Sequence, residues 1–244
     1  MAHRFFVPAE WLQNDQVQLK GQVARQIARV LRMSPGDQVV LLDNSGTEYV
    51  TELRRFSNDA VEGHVVSTSR GQGEPNTHIV LHQALLKGDK FEWVLQKGTE
   101  LGVSAFVPLL SRRSVPQPQR TEGQHGRWTR IVTEAAEQSG RALLPEVRPV
   151  VTLEEACKGT SEDLALMPWE AEEECSLRSA LGRITQGRVS LFIGPEGGWD
   201  AEEVALARDR GILPVTMGRR ILRAETAAIA AITVVMYSRG GLDR

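Results

Sequence analysis

From Ile79 onward short apolar runs alternate with amphipathic segments, and this alternation restricts the possible folds more than any other feature. IVLHQAL (79–85), AFVPLL, DLALMPW, VSLFIG and ILPVTM have strand length and are predominantly apolar, whereas KFEWVLQKGTELG, RWTRIVTEAAEQSG and AEEVALARDRG carry helical spacing. Strands that are apolar throughout need cover on both faces, and helix-length connections bring successive strands in parallel. The expectation is an α/β domain on a mainly parallel sheet, a fold in which ligands collect at the carboxyl ends of strands.

The first 70 residues have a different character. RFFV, DQVVLL, TEYVTEL and AVEGHVV are strand-like and separated by PGD, DNSG and SND turns, which predicts a small β-barrel interrupted by one helix around GQVARQIARVLRM. The polar stretch STSRGQGEPNT (67–77) reads as a linker. The expected domains are therefore 1–72 and 73–244.

Composition narrows the function classes. With 41% hydrophobic and 25% charged residues, the chain is an ordinary globular sequence. Its longest apolar stretch, AAIAAITVVMY (227–237), has 11 residues, too few to span a bilayer, and the amino terminus lacks an apolar signal core, so a cytoplasmic protein without a membrane partner is expected. Cys157 and Cys175 have neither a partner pair nor a histidine cluster, which predicts no metal and no disulfide. No Ser/His/Asp arrangement, HExxH or nucleophile elbow is present, so a hydrolase is poorly supported. A net charge of −2 gives no support by itself to a nucleic-acid partner. Local clusters do: Arg25, Arg29 and Arg32 recur at i, i+4 and i+7, and Arg112 and Arg113 stand in SRRSVPQPQR. A solvated basic face is the plainer account of each.

Three stretches could carry chemistry. In LFIGPEGGW (191–199) a strand runs into a glycine turn, yet Glu196 and the absence of a following Lys argue against phosphate, and the GxGxxG spacing fails. A strand-to-helix turn with Asp200 as helix cap fits equally well. In MGRRILRAETAAIAAITVVMY (217–237) an Ala-rich helix, apolar nearly all round, demands enclosure by a core or a subunit interface, while Arg219, Arg220, Arg223 and Glu225 crowd its start. Glu225 and Thr226 also suit a helix amino end for purely structural reasons. In GRWTRIVTEAAEQSGRALLPEV (126–147) Trp128, Ile131, Val132, Ala135 and Ala136 form one stripe and leave Glu134, Gln138 and Arg141 on another face; a surface helix with a Glu137–Arg141 ion pair explains the same pattern.

Taken in order, TEAAEQSGR, FIGPEGGW and MGRRILRAETA resemble the ribosomal RNA small-subunit methyltransferase E family of the SPOUT class, and RFFVP, VLRMSPGDQVVLLDNSG and KGDKFEWVLQKGTELGVSAFVPL extend the likeness over nearly the whole chain. The resemblance implies a PUA-like RNA-binding β-barrel followed by an α/β domain with a carboxyl-terminal trefoil knot, a homodimer, and S-adenosylmethionine as methyl donor. The implied reaction is methylation of uridine N3 in small-subunit (16S) ribosomal RNA. Carried over by position, the cofactor would lie among Leu166, Met167 and Pro168, the turn Gly194, Pro195, Glu196, Gly197 and Gly198, and Met217, Gly218, Ile221, Leu222 and Arg223, with Glu196 either a polar contact or a loop brace. N3 carries a proton at neutral pH, so the chemistry needs a base, with Glu134 and Glu137 as candidates, or cations that stabilise charge on the uracil oxygens, a role suited to Arg223 and Arg141. Arg4, Arg25, Arg29, Arg32, Arg112, Arg113, Gln138 and Ser139 are the implied RNA contacts. Residues 1–73 balance 8 Lys/Arg against 8 Asp/Glu, which favours an assembled ribosomal subunit over naked RNA as partner. The competing expectations are a SPOUT enzyme acting on a ribose 2′-hydroxyl or another base, and a non-catalytic PUA-like assembly factor.

Overall fold

The computed structural model describes residues 2–114, 121–160, 163–182 and 187–243; the later part of SRRSVPQPQR lies outside them. The chain divides into two compact units: the residues up to Glu74 together with Ala136–Leu144, and Pro75–Ala135 together with Pro145 onward.

In the first unit β1 (His3–Phe6), β2 (Leu12–Gln13), β3 (Gln16–Lys20), β4 (Gln38–Leu42), β5 (Thr47–Phe56) and β6 (Ala60–Arg70) form one sheet in the order β1-β4-β5-β6-β3-β2. Only β1–β4 is parallel, and no ladder joins β1 to β2 among the described residues, so the expected barrel is not closed there. Alternation places Val17 and Leu19 of β3 in a core with Phe5, Val39, Leu41, Leu53 and Val61. β4 is buried on both faces: Val40 and Leu42 pack against Ala142, from the 136–144 segment.

That segment is held by the residues that read as a linker. Residues 67–70 belong to β6, and the Glu74 carboxylate accepts from the backbone N–H of Ala142 and Leu143, both at 3.0 Å, and from the Arg141 guanidinium at 2.8 Å. Asn44 Oδ1 accepts from Leu144 N at 2.7 Å. Gly73 has no room for a side chain, since a Cβ would stand 2.4 Å from the Gly140 carbonyl oxygen. The stretch is therefore anchored backbone. The helix near residue 25 also differs from a regular one: α1 (Gly21–Arg25) widens into a π-turn over Gln26–Val30, and Arg32 follows it at φ +53. Arg25, Arg29 and Arg32 are exposed but do not share one α-helical face.

The second unit contains β7 (Ile79–Ala84), α2 (Lys90–Glu100), β8 (Ala105–Leu110), most of α3 (Thr121–Ser139), β9 (Glu146–Val147), β10 (Val151–Thr152), α4 (Leu153–Gly159), β11 (Leu164–Pro168), α5 (Leu177–Leu181), β12 (Val189–Ile193), α6 (Ala201–Asp209), β13 (Leu213–Val215) and α7 (Ala224–Ser238). Its sheet runs β10-β8-β7-β12-β11-β13 with β9 on β8, and every pairing is parallel. Alternate strand residues feed two cores. Ile79, Leu81, Val189, Leu191 and Ile193 meet α2, α3, α5 and α7, while Val80, Ala84 and Phe192 meet α4 and α6. α4 and α5 escaped the sequence pattern because they are short, and each starts at a hydroxyl cap, Thr152 and Ser176. No helix among the described residues is long and apolar enough to cross a membrane.

Candidate functional site

β12, β11 and β13 are neighbours, and the segments leaving their carboxyl ends bound a cavity of about 470 Å3, within the range of small-molecule sites. Its walls are the turn Gly194–Trp199, the stretch Pro168–Glu170, and the segments Thr216–Gly218 and Arg220–Ala224 with Ala227 and Lys90.

The turn is built by close packing. Gly194 lies under the Trp199 indole, where a Cβ would stand 3.2 Å from the ring, and Gly198 adopts φ +69. Gly198 N donates to Pro195 O at 3.0 Å and closes the turn. Asp200 caps α6 through Glu202 N at 3.1 Å and completes a capping box with Glu203, so the cap reading and the cavity reading of this turn both hold.

Charged groups brace the turn from outside. Glu196 Oε1 accepts from Lys87 N at 3.1 Å and from Lys90 Nζ at 3.3 Å, tying the turn to the start of α2. Burial opposes ionisation of this carboxyl, but hydrogen bonds from its own backbone and Lys87, with the Lys90 ammonium, outweigh it and hold its pKa below the ordinary value. Glu196 is a brace. Arg113 donates to Gly197 O at 2.9 Å and pairs with Asp200 at 3.3 Å, while Arg112 pairs with Asp200 and Glu202. The N–H of Glu202 and these two arginines hold the Asp200 carboxyl below its usual range.

Two polar atoms are left unfilled. Trp199 Nε1 is buried without an acceptor although its ring lines the cavity, and Glu225 Oε2, in the first turn of α7, has no hydrogen bond and only Lys90 Nζ at 3.9 Å. At the mouth, Arg219, Arg220 and Arg223 are exposed, and none has a side-chain partner among the described residues.

The expected cofactor residues fall mostly in these walls. Pro168, the whole Gly194–Gly198 turn, Met217, Gly218, Ile221, Leu222 and Arg223 line the cavity. Leu166 and Met167 do not: both are fully buried in β11, one in each core. Ile221 is a rim rather than a wall, 86% exposed. Lys90, Trp169, Glu170, Trp199 and Thr216 were not anticipated. Trp169, Glu170 and Thr216 immediately follow strand ends, and that position was the available signal.

The other expected residues are placed differently. Arg141 lies beyond the end of α3, 4% exposed, with its guanidinium on Glu74, so it does not share a helix face with Glu134. Glu134 is exposed and paired with Arg130 at 3.2 Å; Glu137 accepts from Phe6 N at 2.9 Å. Neither is a buried, unengaged carboxylate of the kind a base requires. Arg4 is held by Glu48 at 2.6 Å. Arg112 and Arg113 are spent on the turn, Gln138 is exposed, and the Ser139 hydroxyl donates to Ala136 O at 3.4 Å. Among the described residues no cluster of His, Cys, Asp and Glu could hold a metal.

Comparison with known proteins identifies two family regions in the chain. Residues 73–236 match the RNA methyltransferase domain family and residues 19–65 the RNA methyltransferase PUA domain family. The chain is 32% identical over 227 residues to the ribosomal RNA small subunit methyltransferase E of Bacillus subtilis, covering 90% of this chain and 89% of that one. It is 36% identical over 238 residues to the protein of the same name from Synechocystis, covering 96% and 77%. The crystal structure of a ribosomal RNA small subunit methyltransferase E from Neisseria gonorrhoeae bound to S-adenosylmethionine superposes with a TM-score of 0.87 at 32% identity, covering 97% of this chain and 98% of that one.

Proposed function

Because the chain belongs to the ribosomal RNA small subunit methyltransferase E family, we propose that it methylates small-subunit ribosomal RNA from S-adenosylmethionine, at ring nitrogen N3 of a uridine. The observation that carries this reading is the cavity at the ends of β11, β12 and β13. Its chemistry fits the cofactor: apolar walls from Pro168, Ile193, Met217 and Leu222, and close backbone at Gly194 and Gly197. The relative from Neisseria gonorrhoeae binds S-adenosylmethionine. When bound, the cofactor supplies an electrophilic methyl group.

The chain's own residues then have distinct tasks. The glycine turn, braced by Glu196 and Arg113, holds the cofactor's polar edge. Arg223, exposed at the N-cap of α7 beside the cavity, stabilises negative charge spreading onto uracil oxygens. With that charge stabilised, the N3 proton passes to solvent water, and no carboxylate is assigned the role of base. N3 lies on the pairing edge, so the target must be unpaired or flipped out, and Arg219 and Arg220 meet its flanking phosphates. In the first unit, a PUA-like RNA-binding module within the proposed domain 1–72, Arg25, Arg29 and Arg32 serve the same purpose. Its balanced charge supports an assembled subunit as substrate, and a cytoplasmic location fits that substrate. The 73–244 domain carries the trefoil knot of its class. The outward face of α7, with Val234 exposed and Tyr237 77% exposed, meets a second copy in a homodimer and so completes the enclosure that the helix needs.

The test is incubation of the purified chain with labelled cofactor and small ribosomal subunits that lack the modification, followed by nucleoside analysis. Label in N3-methyluridine, lost in Arg223→Ala while cofactor binding persists, supports the reading. Label in a 2′-O-methylated nucleoside or in another base refutes the assigned position.

A further inference from the structure

Glu172 is only 8% exposed and stands outside the cavity, where the proposed chemistry makes no use of it. Its carboxylate is nevertheless fully committed. Oε1 accepts from Glu174 N at 3.0 Å and Cys175 N at 3.1 Å, and Oε2 accepts from Arg208 Nη2 at 2.8 Å. The N–H of Cys175, working against burial and helped by Glu174 and Arg208, holds the carboxyl below its ordinary range. Arg208, on α6, places its guanidinium carbon 5.8 Å from the ring centre of Trp169. This distance lies within reach of a cation–π contact.

From this hub two connections reach the cavity. Toward β11, Glu172 N donates to Trp169 O at 3.2 Å, so backbone and guanidinium grip the same residue. Toward β13, Cys175 O accepts from Thr216 N at 2.8 Å, and Leu177 N donates to Thr216 O at 3.0 Å. Trp169 and Thr216 both line the cavity. We propose that Glu172 and Arg208 are positioning residues of the cofactor site, which fix the Trp169 indole and the Thr216 backbone from behind the wall and thereby set cofactor affinity rather than the methyl-transfer rate. A wall ordered before binding spares the ligand the cost of ordering it. An ordinary surface ion pair would predict no such effect. Here, however, one partner is buried with its remaining oxygen on two backbone N–H groups, and the other lies over a cavity wall.

This inference rests on the cavity being the S-adenosylmethionine site. The experiment therefore begins with calorimetric titration of S-adenosylmethionine into the wild-type full chain, and repeats it with Arg208→Ala, Arg208→Lys and Glu172→Gln. Arg208→Ala is expected to raise the Kd roughly three- to tenfold, with Glu172→Gln in the same direction. Arg208→Lys, which keeps the charge but loses the planar fork, is expected to recover part of the loss. In turnover on small ribosomal subunits the KM for the cofactor rises while kcat stays within about twofold, because only ground-state ordering of the wall is lost. The Trp169 emission, isolated by difference against Trp169→Phe, shifts in Arg208→Ala. Unchanged Kd in folded variants, or a fall in kcat at constant KM, overturns the positioning role and leaves the functional reading intact; a wild-type chain that does not bind the cofactor overturns both. Arg208 is 54% exposed, so its variants carry the test even if Glu172→Gln fails to fold.

Discussion

Replacing Gly198 by alanine separates two terms that coincide at the centre of the turn. At φ +69 the residue occupies the left-handed region, which costs a residue with a Cβ about 1–2 kcal/mol. The new Cβ would also stand 2.4 Å from Glu170 Oε1, a distance no pair of such atoms tolerates. Glu170 is exposed, however, and its carboxylate is the far end of a flexible side chain, so moving it aside costs under about 1 kcal/mol. The backbone term therefore dominates. Gly211, at φ +79 with nothing within 4 Å of a Cβ, measures that term alone in the same unit. Gly198→Ala and Gly211→Ala are expected to destabilise alike, by about 1–2 kcal/mol, and Glu170→Ala to restore only a few tenths to Gly198→Ala. The assay is urea unfolding followed by tryptophan fluorescence, since Trp93, Trp128, Trp169 and Trp199 all belong to the second unit. The two variants part in cofactor titration: Gly198→Ala binds S-adenosylmethionine more weakly, while Gly211→Ala binds like wild type. Full restoration of stability by Glu170→Ala would show that the clash, not the backbone, governs this position, and the reasoning would be wrong.

Three other perturbations test separate parts of the structure. Folding lowers the Glu196 pKa below its ordinary 4.5, so the brace stabilises the fold above that value and its contribution disappears as pH falls through the lower folded value. Glu196→Gln should thus be less stable than wild type by about 1 kcal/mol near neutrality, with the gap closing as the pH falls below the ordinary carboxylate range in a series of unfolding curves; a gap that persists in acid would contradict the brace. Arg113→Ala removes the donor to Gly197 O and is expected to weaken cofactor binding severalfold without altering the salt dependence of RNA binding, whereas Arg25→Gln with Arg29→Gln should lower that salt slope by about two and leave the cofactor Kd alone. Tyr237→Asp and Val234→Asp place charge on the outward face of α7 and should shift the sedimentation coefficient from dimer to monomer; unchanged sedimentation would remove that face from the interface.

What the sequence made legible follows from which atoms carry each feature. The parallel sheet was readable because strands such as β7 and β12 are buried on both faces, which leaves an apolar run that no other arrangement explains so simply. β3 is five residues long with polar outward positions, and the end of β6 reads STSR; pairing with β5 forms that end, as between Glu48 and Ser69, without an apolar signal. The glycine turn at the cavity was legible for a related reason: its geometry is demanded of the backbone, and glycine is the residue that announces such a demand. Arginine announces nothing comparable, because one guanidinium suits water, phosphate or a carboxylate equally well, and its partner is chosen by tertiary structure. Arg4 finds Glu48 across 44 positions, Arg141 finds Glu74 across 67, and Arg113 finds Asp200 across 87. Arg4, Arg113 and Arg141 are thereby engaged in ion pairs, while Arg219, Arg220 and Arg223 are exposed and have no side-chain partner among the described residues. The side chains left free by the fold, rather than those most suggestive in sequence, are the ones to which the chemistry is assigned.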